Sequence, residues 1–196
     1  MLSRVHTQSV FPRRRRVLAA LIGGLIPPGS RVLDVGTGDG SVARLIQDQA
    51  AGVTIDGIDV LVRPGAAIPV KAYDGRTIPH PDGSFDVVLF IDVLHHTADP
   101  QGLLHEAARV ARRCVIIKDH QRNGLLARPT LRFMDWVGNA RFGVALPYNY
   151  WSQGEWERGY AAAGLRLARR ITKLGLYPPW ADWLFGRGLH SIVVLE

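Results

Sequence analysis

The stretch Val32–Ile46, VLDVGTGDGSVARLI, decides how the rest of this chain is read. An apolar run holds one acid, Asp34, and three glycines follow at alternating positions: Gly36, Gly38 and Gly40. A helical pattern then begins at Ser41, with Val42, Leu45 and Ile46 on one face. Strand, glycine turn and helix N-terminus together make a ligand site, because bare backbone permits close approach and amide N–H groups point outward. A dinucleotide site wants Gly-x-Gly-x-x-Gly, whose third glycine lets helix and strand pack closely. Here Ser41 stands where that glycine belongs, and Asp34 puts negative charge where a pyrophosphate would lie. That charge repels phosphate and attracts a cation.

Working outward, Arg31–Val35 is the first strand and Ser41–Ala51 the first crossover helix. A second strand runs from Val53 to Ile58 and ends at Asp59. The next segment, VLVRPGAAIP, has two prolines, and YDGRTIPHPDGS after the short strand Pro69–Ala72 is all turn chemistry, so no full helix fits in either. Phe85–Ile91 (FDVVLFI) is a continuous apolar run, as in a strand covered on both faces. Asp99-Pro100 opens a helix as N-cap and first residue, and Cys114–Ile117 is a fifth strand ending at Lys118-Asp119-His120. Ser152 to Glu155 is a capping box for a helix that stops at Gly164. Leu165–Ile171 and Leu189–Leu195 are the last strands, joined by a link too proline-rich for a good crossover helix.

Alternation at this spacing predicts an α/β fold: a single Rossmann-like, doubly wound sheet, mostly parallel with an antiparallel last strand, and reduced helices after strands two and three. One domain over 1–196 is expected, with an N-terminal amphipathic helical segment in 1–30. Segments 121–151 and 173–187 are read as substrate-side insertions.

The 196 residues suffice for one well-filled core. The single cysteine, Cys114, rules out a disulfide framework within the chain and fits a buried core thiol. No apolar run approaches the roughly 20 residues of a membrane span. VLAALIGGLI after Arg13–Arg16 imitates a signal peptide but runs into Pro27-Pro28 without a small-residue cleavage site, so a cytoplasmic protein is expected. The net charge of +7 raises nucleic acid as a partner, but apart from Arg13–Arg16 and two arginine pairs the basic residues are scattered, and a charge run is usually a solvated face.

With these residues in view, the sequence resembles the class I S-adenosylmethionine-dependent methyltransferases. Val32–Gly40 matches their glycine-rich first motif without a gap. The resemblance implies S-adenosylmethionine as cofactor, with Gly36, Thr37, Gly38 and Gly40 against its methionine portion and Asp34 near its amino end. GIDV (Gly57–Val60) is similar to the second motif, in which Asp59 would bind the ribose hydroxyls with Val60 beside it. Asp74 and Gly75 would meet the adenine amino group, and Ile91 and Asp92 belong to the loop flanking the cofactor. The resemblance covers roughly residues 30 to 118.

Methyl transfer is an in-line displacement on an activated sulfonium, so a general base is needed only where the acceptor must lose a proton. Ligands of open α/β sheets lie at the carboxyl ends of the strands. His120 is the first candidate for a base, with Asp119 to orient it or bind substrate, and His96 in the loop after strand four. His95 is a candidate beside it, and the resemblance implies that histidine at both positions can be part of the loop scaffold. Ile91-Asp92-Val93-Leu94 is not the Asn-Pro-Pro-Tyr of amine methyltransferases, which weakens a nucleic-acid target. A strand-four acid matching that of magnesium-dependent enzymes would fall on Ile91 instead of Asp92, so no metal is expected. The closer resemblance is to the small-molecule, quinone-biosynthesis branch. Trp136, Tyr148, Tyr150 and Trp151 are candidate walls for an apolar or aromatic acceptor. An RNA methyltransferase, a catalytically inactive cofactor-binding partner subunit and a nicotinamide oxidoreductase are the alternatives.

Overall fold

The computed structural model describes residues 11–139, 148–186 and 188–196. Residues 1–10 of the expected N-terminal segment, residues 140–147 of the 121–151 segment and Arg187 of the 173–187 segment lie outside the described residues.

Seven strands form one sheet: β1 (Arg31–Val35), β2 (Thr54–Asp59), β3 (Val70–Ala72), β4 (Phe85–Ile91), β5 (Ala111–His120), β6 (Leu167–Ile171) and β7 (His190–Leu195). Their order is β3-β2-β1-β4-β5-β7-β6. Strands β1 to β5 pair in parallel, and β7 runs antiparallel to both β5 and β6. This is the expected doubly wound sheet with an antiparallel last strand. The chain order reverses between the neighbours β1 and β4, and at such a reversal a crevice opens outside the carboxyl ends of the strands.

The continuous apolar runs are explained by cover on both faces. Val87 and Leu89 of β4 point into a cluster with Leu18, Ile22, Ala43 and Ile46, from α1 (Phe11–Gly23) and α2 (Ser41–Gln49). Val88 and Phe90 point the other way, against Leu103, Leu104, Trp156 and Tyr160 from α3 (Pro100–Val110) and α5 (Gln153–Ala162). The caps are those read from sequence. Asp99 accepts from the Gly102 N–H at 2.8 Å, and Ser152 and Glu155 bond reciprocally. Cys114 is a buried free thiol.

Two helices lie in the segments read as insertions. α4 (Ala127–Asn139) occupies much of the 121–151 segment, and a seven-residue α6 (Pro179–Phe185) forms in the link between the last strands, which pair antiparallel and so need no crossover helix, as expected. The physical reason both form is where the prolines fall. Pro129 sits in the first turn of α4 and Pro179 opens α6, positions whose N–H has no intrahelical partner to lose. β5 also begins three residues before its expected start, at Ala111. Among the described residues, no helix is long and apolar enough to cross a membrane.

Candidate functional site

The glycine turn after β1 is held from below by β2. Gly36 and Thr37 both donate to the Ile58 carbonyl, at 2.8 and 3.2 Å, and the Thr37 hydroxyl donates back to the Asp34 carbonyl at 2.7 Å. All three glycines lie in the left-handed region, with φ of +76°, +64° and +70°. Their surroundings differ. A Cβ on Gly36 would lie 2.5 Å from Val93 Cγ2, and one on Gly40 would crowd Ile68 at 3.1 Å. One on Gly38 would meet nothing within 4 Å. The middle glycine therefore borders open space.

Asp34 is buried beside this turn, and its Oδ1 has no hydrogen-bond partner among the described residues. Burial and the nearby Asp59 raise its pKa from 3.8 to about 7. A buried carboxyl group with one unpartnered oxygen, held half-ionised near neutral pH, is the local condition for receiving a cation. Asp59 is differently placed. Its two oxygens take the Gly38 N–H at 2.7 Å and the Leu61 N–H at 2.9 Å, locking the end of β2 to the glycine turn. Each oxygen keeps a further lone pair. Beyond it, Val60, Leu61 and Val62 are exposed apolar side chains, and Gly75 packs so near Val60 that a Cβ there would come within 2.9 Å. Asp74 is exposed, and its Oδ1 accepts from Arg76 and Thr77, both at 2.8 Å.

The residues after β4 and β5 form a polar cluster buried far more deeply than sequence reasoning expected. Asp92, at φ +57°, is bonded by Lys118 and by Arg14 of α1. These two cations hold its carboxyl well below the ordinary range against the opposing pull of burial. Ile91 pairs with Lys118 across the β4–β5 ladder. Asp92 is thus engaged in two ion pairs at the sheet end, and the arginine run is not simply a solvated face, since Arg15 also reaches Asp39 at 2.8 Å. Lys118 is fully buried and also contacts His190 Nδ1 at 3.3 Å.

Asp119 accepts the Leu94 N–H at 2.9 Å, the His120 N–H at 2.6 Å and His95 Nδ1 at 2.5 Å. Its carboxyl oxygens lie closer to the His95 ring than to that of His120, whose Nδ1 is 3.7 Å away. Burial alone would lower the His95 pKa, but Asp119 and Asp135 raise it to about 10. His95 is therefore an imidazolium between two carboxylates. His120 Nδ1 lies 3.3 Å from His95 Nδ1 and 3.5 Å from Asp92 Oδ1. Burial and the His95 cation hold His120 below its ordinary pKa. His96 falls to about 4 for the same two reasons, and its Nδ1 is buried without a partner among the described residues.

The role of His95 and the presence of Asp135, Lys118, His190 and Arg14 were missed. Some signals were there: Asp135 is the one acid on the apolar stripe Ala127–Leu131 of α4, and Lys118 interrupts a strand covered on both faces. Tyr150, expected as a wall, is buried, stacks on His95 and donates to Asp135. Trp151 packs on Trp156, Tyr148 lies under Arg132, and Trp136 points outward, 59% exposed.

Three sets of donors lie within 4.8 Å of one another: Asp92–His120–His190, His95–His96–Asp135 and His95–Asp119–His120. In the first, the Lys118 ammonium bonds both Asp92 and His190 and supplies the positive charge. In the third, Asp119 already accepts three N–H groups. In the second, His95 Nε2 faces the Asp135 carboxylate at 3.5 Å, and His96 Nδ1 has no hydrogen-bond partner among the described residues.

Comparison with known proteins decides the family. The model of a methyltransferase domain family matches residues 7–169. This chain belongs to that family. The methyltransferase domain is 30% identical to the 2-methyl-6-phytyl-1,4-hydroquinone methyltransferase of Synechocystis, over 82% of this chain and 52% of that one. It is 32% identical to the 27-O-demethylrifamycin SV methyltransferase of Amycolatopsis mediterranei, over 46% of this chain and 39% of the relative. The chain thus spans about half the length or less of these relatives. A SAM-dependent methyltransferase from Aquifex aeolicus superposes with a TM-score of 0.64 at 18% identity, covering 98% of this chain and 97% of that one, and shares the fold.

Proposed function

We propose that this methyltransferase domain transfers a methyl group from S-adenosylmethionine to a small-molecule acceptor, at oxygen or carbon. The observation that carries the reading is Asp34: a buried carboxyl with an unpartnered oxygen, beside a glycine turn whose middle residue borders open space. An ammonium group is the partner that such a carboxyl lacks, and S-adenosylmethionine has one. Gly36, Thr37, Gly38 and Gly40 would line its amino-acid portion. Asp59, fixed by two N–H groups, keeps lone pairs for ribose hydroxyls, and Val60, Gly75 and Asp74 would border the adenine. Ile91 and Asp92 support this site from the sheet end. The cofactor supplies an electrophilic methyl on a sulfonium, and everything else falls to the protein.

His120 is the proposed base. Held neutral by burial and by the His95 cation, it can take a proton from an acceptor hydroxyl at neutral pH. Asp119 is a positioning residue, fixing His95 as a cation and the His120 backbone in place, and His96, also kept neutral, is a second proton acceptor in the cluster. The described parts of segments 121–151 and 173–187 would form the acceptor side of the single domain. The relatives' names support the acceptor class: one acts on a phytyl-substituted hydroquinone, an aromatic diol with a long apolar tail.

Titration calorimetry with S-adenosylhomocysteine and a turnover assay on a panel of hydroquinones and phenols test the reading. Expected are cofactor binding that Asp59→Ala weakens and turnover that His120→Ala abolishes, with cofactor affinity of the His120 variant unchanged within a few fold. No binding, with Asp59→Ala without effect, overturns the cofactor assignment; undiminished turnover in His120→Ala overturns the base.

A further inference from the structure

Helix α4 has two unlike faces. Inward, Ala127 and Leu131 are buried, and Asp135 bonds Tyr150 beside the His95 cluster. Outward, Phe133 and Trp136 are 51% and 59% exposed, and the turn before the helix presents Leu125 and Leu126 at 88% and 61%. That turn holds Leu126 at φ +62°, a conformation leucine rarely adopts. Arg128 and Arg132 are exposed along the same helix. Across residues 121–151 the only acid is Asp135, which is turned inward, so this face offers arginine and apolar surface without a carboxylate. Exposed Trp183 of α6 belongs to the same end of the sheet, because His120 at the end of β5 pairs with His190 at the start of β7.

We propose that the outer face of α4, with Leu125 and Leu126 at its head, seats on an anionic lipid surface. Leucine, phenylalanine and tryptophan enter the headgroup–acyl boundary, and flanking arginines pair with lipid phosphates. The charge favours this occupant over a second copy of the chain: a symmetric pairing would set Arg128 and Arg132 against their own images on a protein of net charge +7. The proposal extends the acceptor reading above, since it puts the wall of the site against the phase in which an apolar-tailed hydroquinone dissolves.

Vesicle flotation of the full chain, with phosphatidylcholine alone and with added phosphatidylglycerol, tests it. Expected is binding to the anionic vesicles only, reduced by about tenfold or more in Leu125→Ser/Phe133→Ser and again in Arg128→Glu/Arg132→Glu. Absence of binding, equal binding to both vesicles, or retention by Leu125→Ser/Phe133→Ser (attraction through other arginines) overturns the proposal. So does a concentration-dependent dimer in light scattering that Phe133→Ser abolishes, which assigns the face to a second copy. S-adenosylhomocysteine titration of the same preparations separates the two readings. Cofactor binding without vesicle binding removes the docking face alone, and vesicle binding without cofactor binding removes the cofactor assignment alone.

Discussion

Asp34 ties stability and ligand binding together with opposite signs. Its carboxyl is raised from 3.8 to about 7, so the folded chain without ligand gains from its protonated form. That stabilisation is complete below pH 3.8 and is lost as pH rises through 7; at higher pH the ionised group costs the fold about 4 kcal/mol by linkage. On the proposed reading, a bound ammonium would offset this cost. Only ionised Asp34 attracts the ammonium, and its ionised fraction rises from about 3% at pH 5.5 to about three quarters at pH 7.5. Allowing for partial deprotonation of the ligand's own α-amino group at the upper pH, affinity should improve by roughly tenfold over that interval, on the order of 1 kcal/mol. Calorimetric titration with S-adenosylmethionine at both pH values measures it. Asp34→Asn should flatten the dependence and weaken binding at pH 7.5, yet raise the Tm of the ligand-free chain at pH 8 by at least about 2–4 °C, the equivalent of 1 kcal/mol. A pH-independent affinity in the native chain, or an equal slope in Asp34→Asn, would refute the claim that this carboxylate receives the cation. A lower Tm in the variant would refute the claim that its ionisation opposes folding.

The glycine turn and the buried lysine give two further tests. Gly36→Ala sets a Cβ 2.5 Å from Val93 in a left-handed backbone and should lower urea stability by about 2 kcal/mol or more, whereas Gly38→Ala meets only the backbone penalty of about 1 kcal/mol and should lose cofactor affinity instead. Equal stability losses without any difference in affinity would deny that Gly38 faces the ligand. Lys118→Met leaves partly buried Asp92 with Arg14 as its one cation and should cost about 3 kcal/mol in urea unfolding, while Lys118→Met/Asp92→Asn should recover much of it. A double variant no more stable than the single would mean that lost packing, not an unpaired charge, sets the cost.

Much of the sheet was legible because its signals are local. FDVVLFI can be little else than a strand covered on both faces, and Asp99-Pro100 and Ser152–Glu155 satisfy their own helix ends within four residues. The glycine turn was legible for the same reason, its three left-handed positions lying within five residues. The cluster around His95 was not, because its members come from six separate stretches of chain: α1, the ends of β4 and β5, α4, the segment before α5 that carries Tyr150, and the start of β7. Nothing local to His95 distinguishes a scaffold imidazole from one held as a cation by Asp119 and Asp135; that depends on which carboxylates the fold brings to each ring nitrogen. Asp92 shows the same limit from the other side. Its position one residue past β4 follows from the strand's own sequence, but its ion pairs depend on Lys118, 26 residues on, and on Arg14 in a run whose composition suggests a solvated face. In this chain the turn proposed to contact the ligand is written contiguously, while the charge state of the groups that would act on an acceptor is set only when α1 and α4 dock. Variants in those two helices should therefore move the pH profile of turnover more than they move cofactor affinity, and a pH profile indifferent to Arg14→Ala and Asp135→Asn would show that the cluster is only a structural anchor.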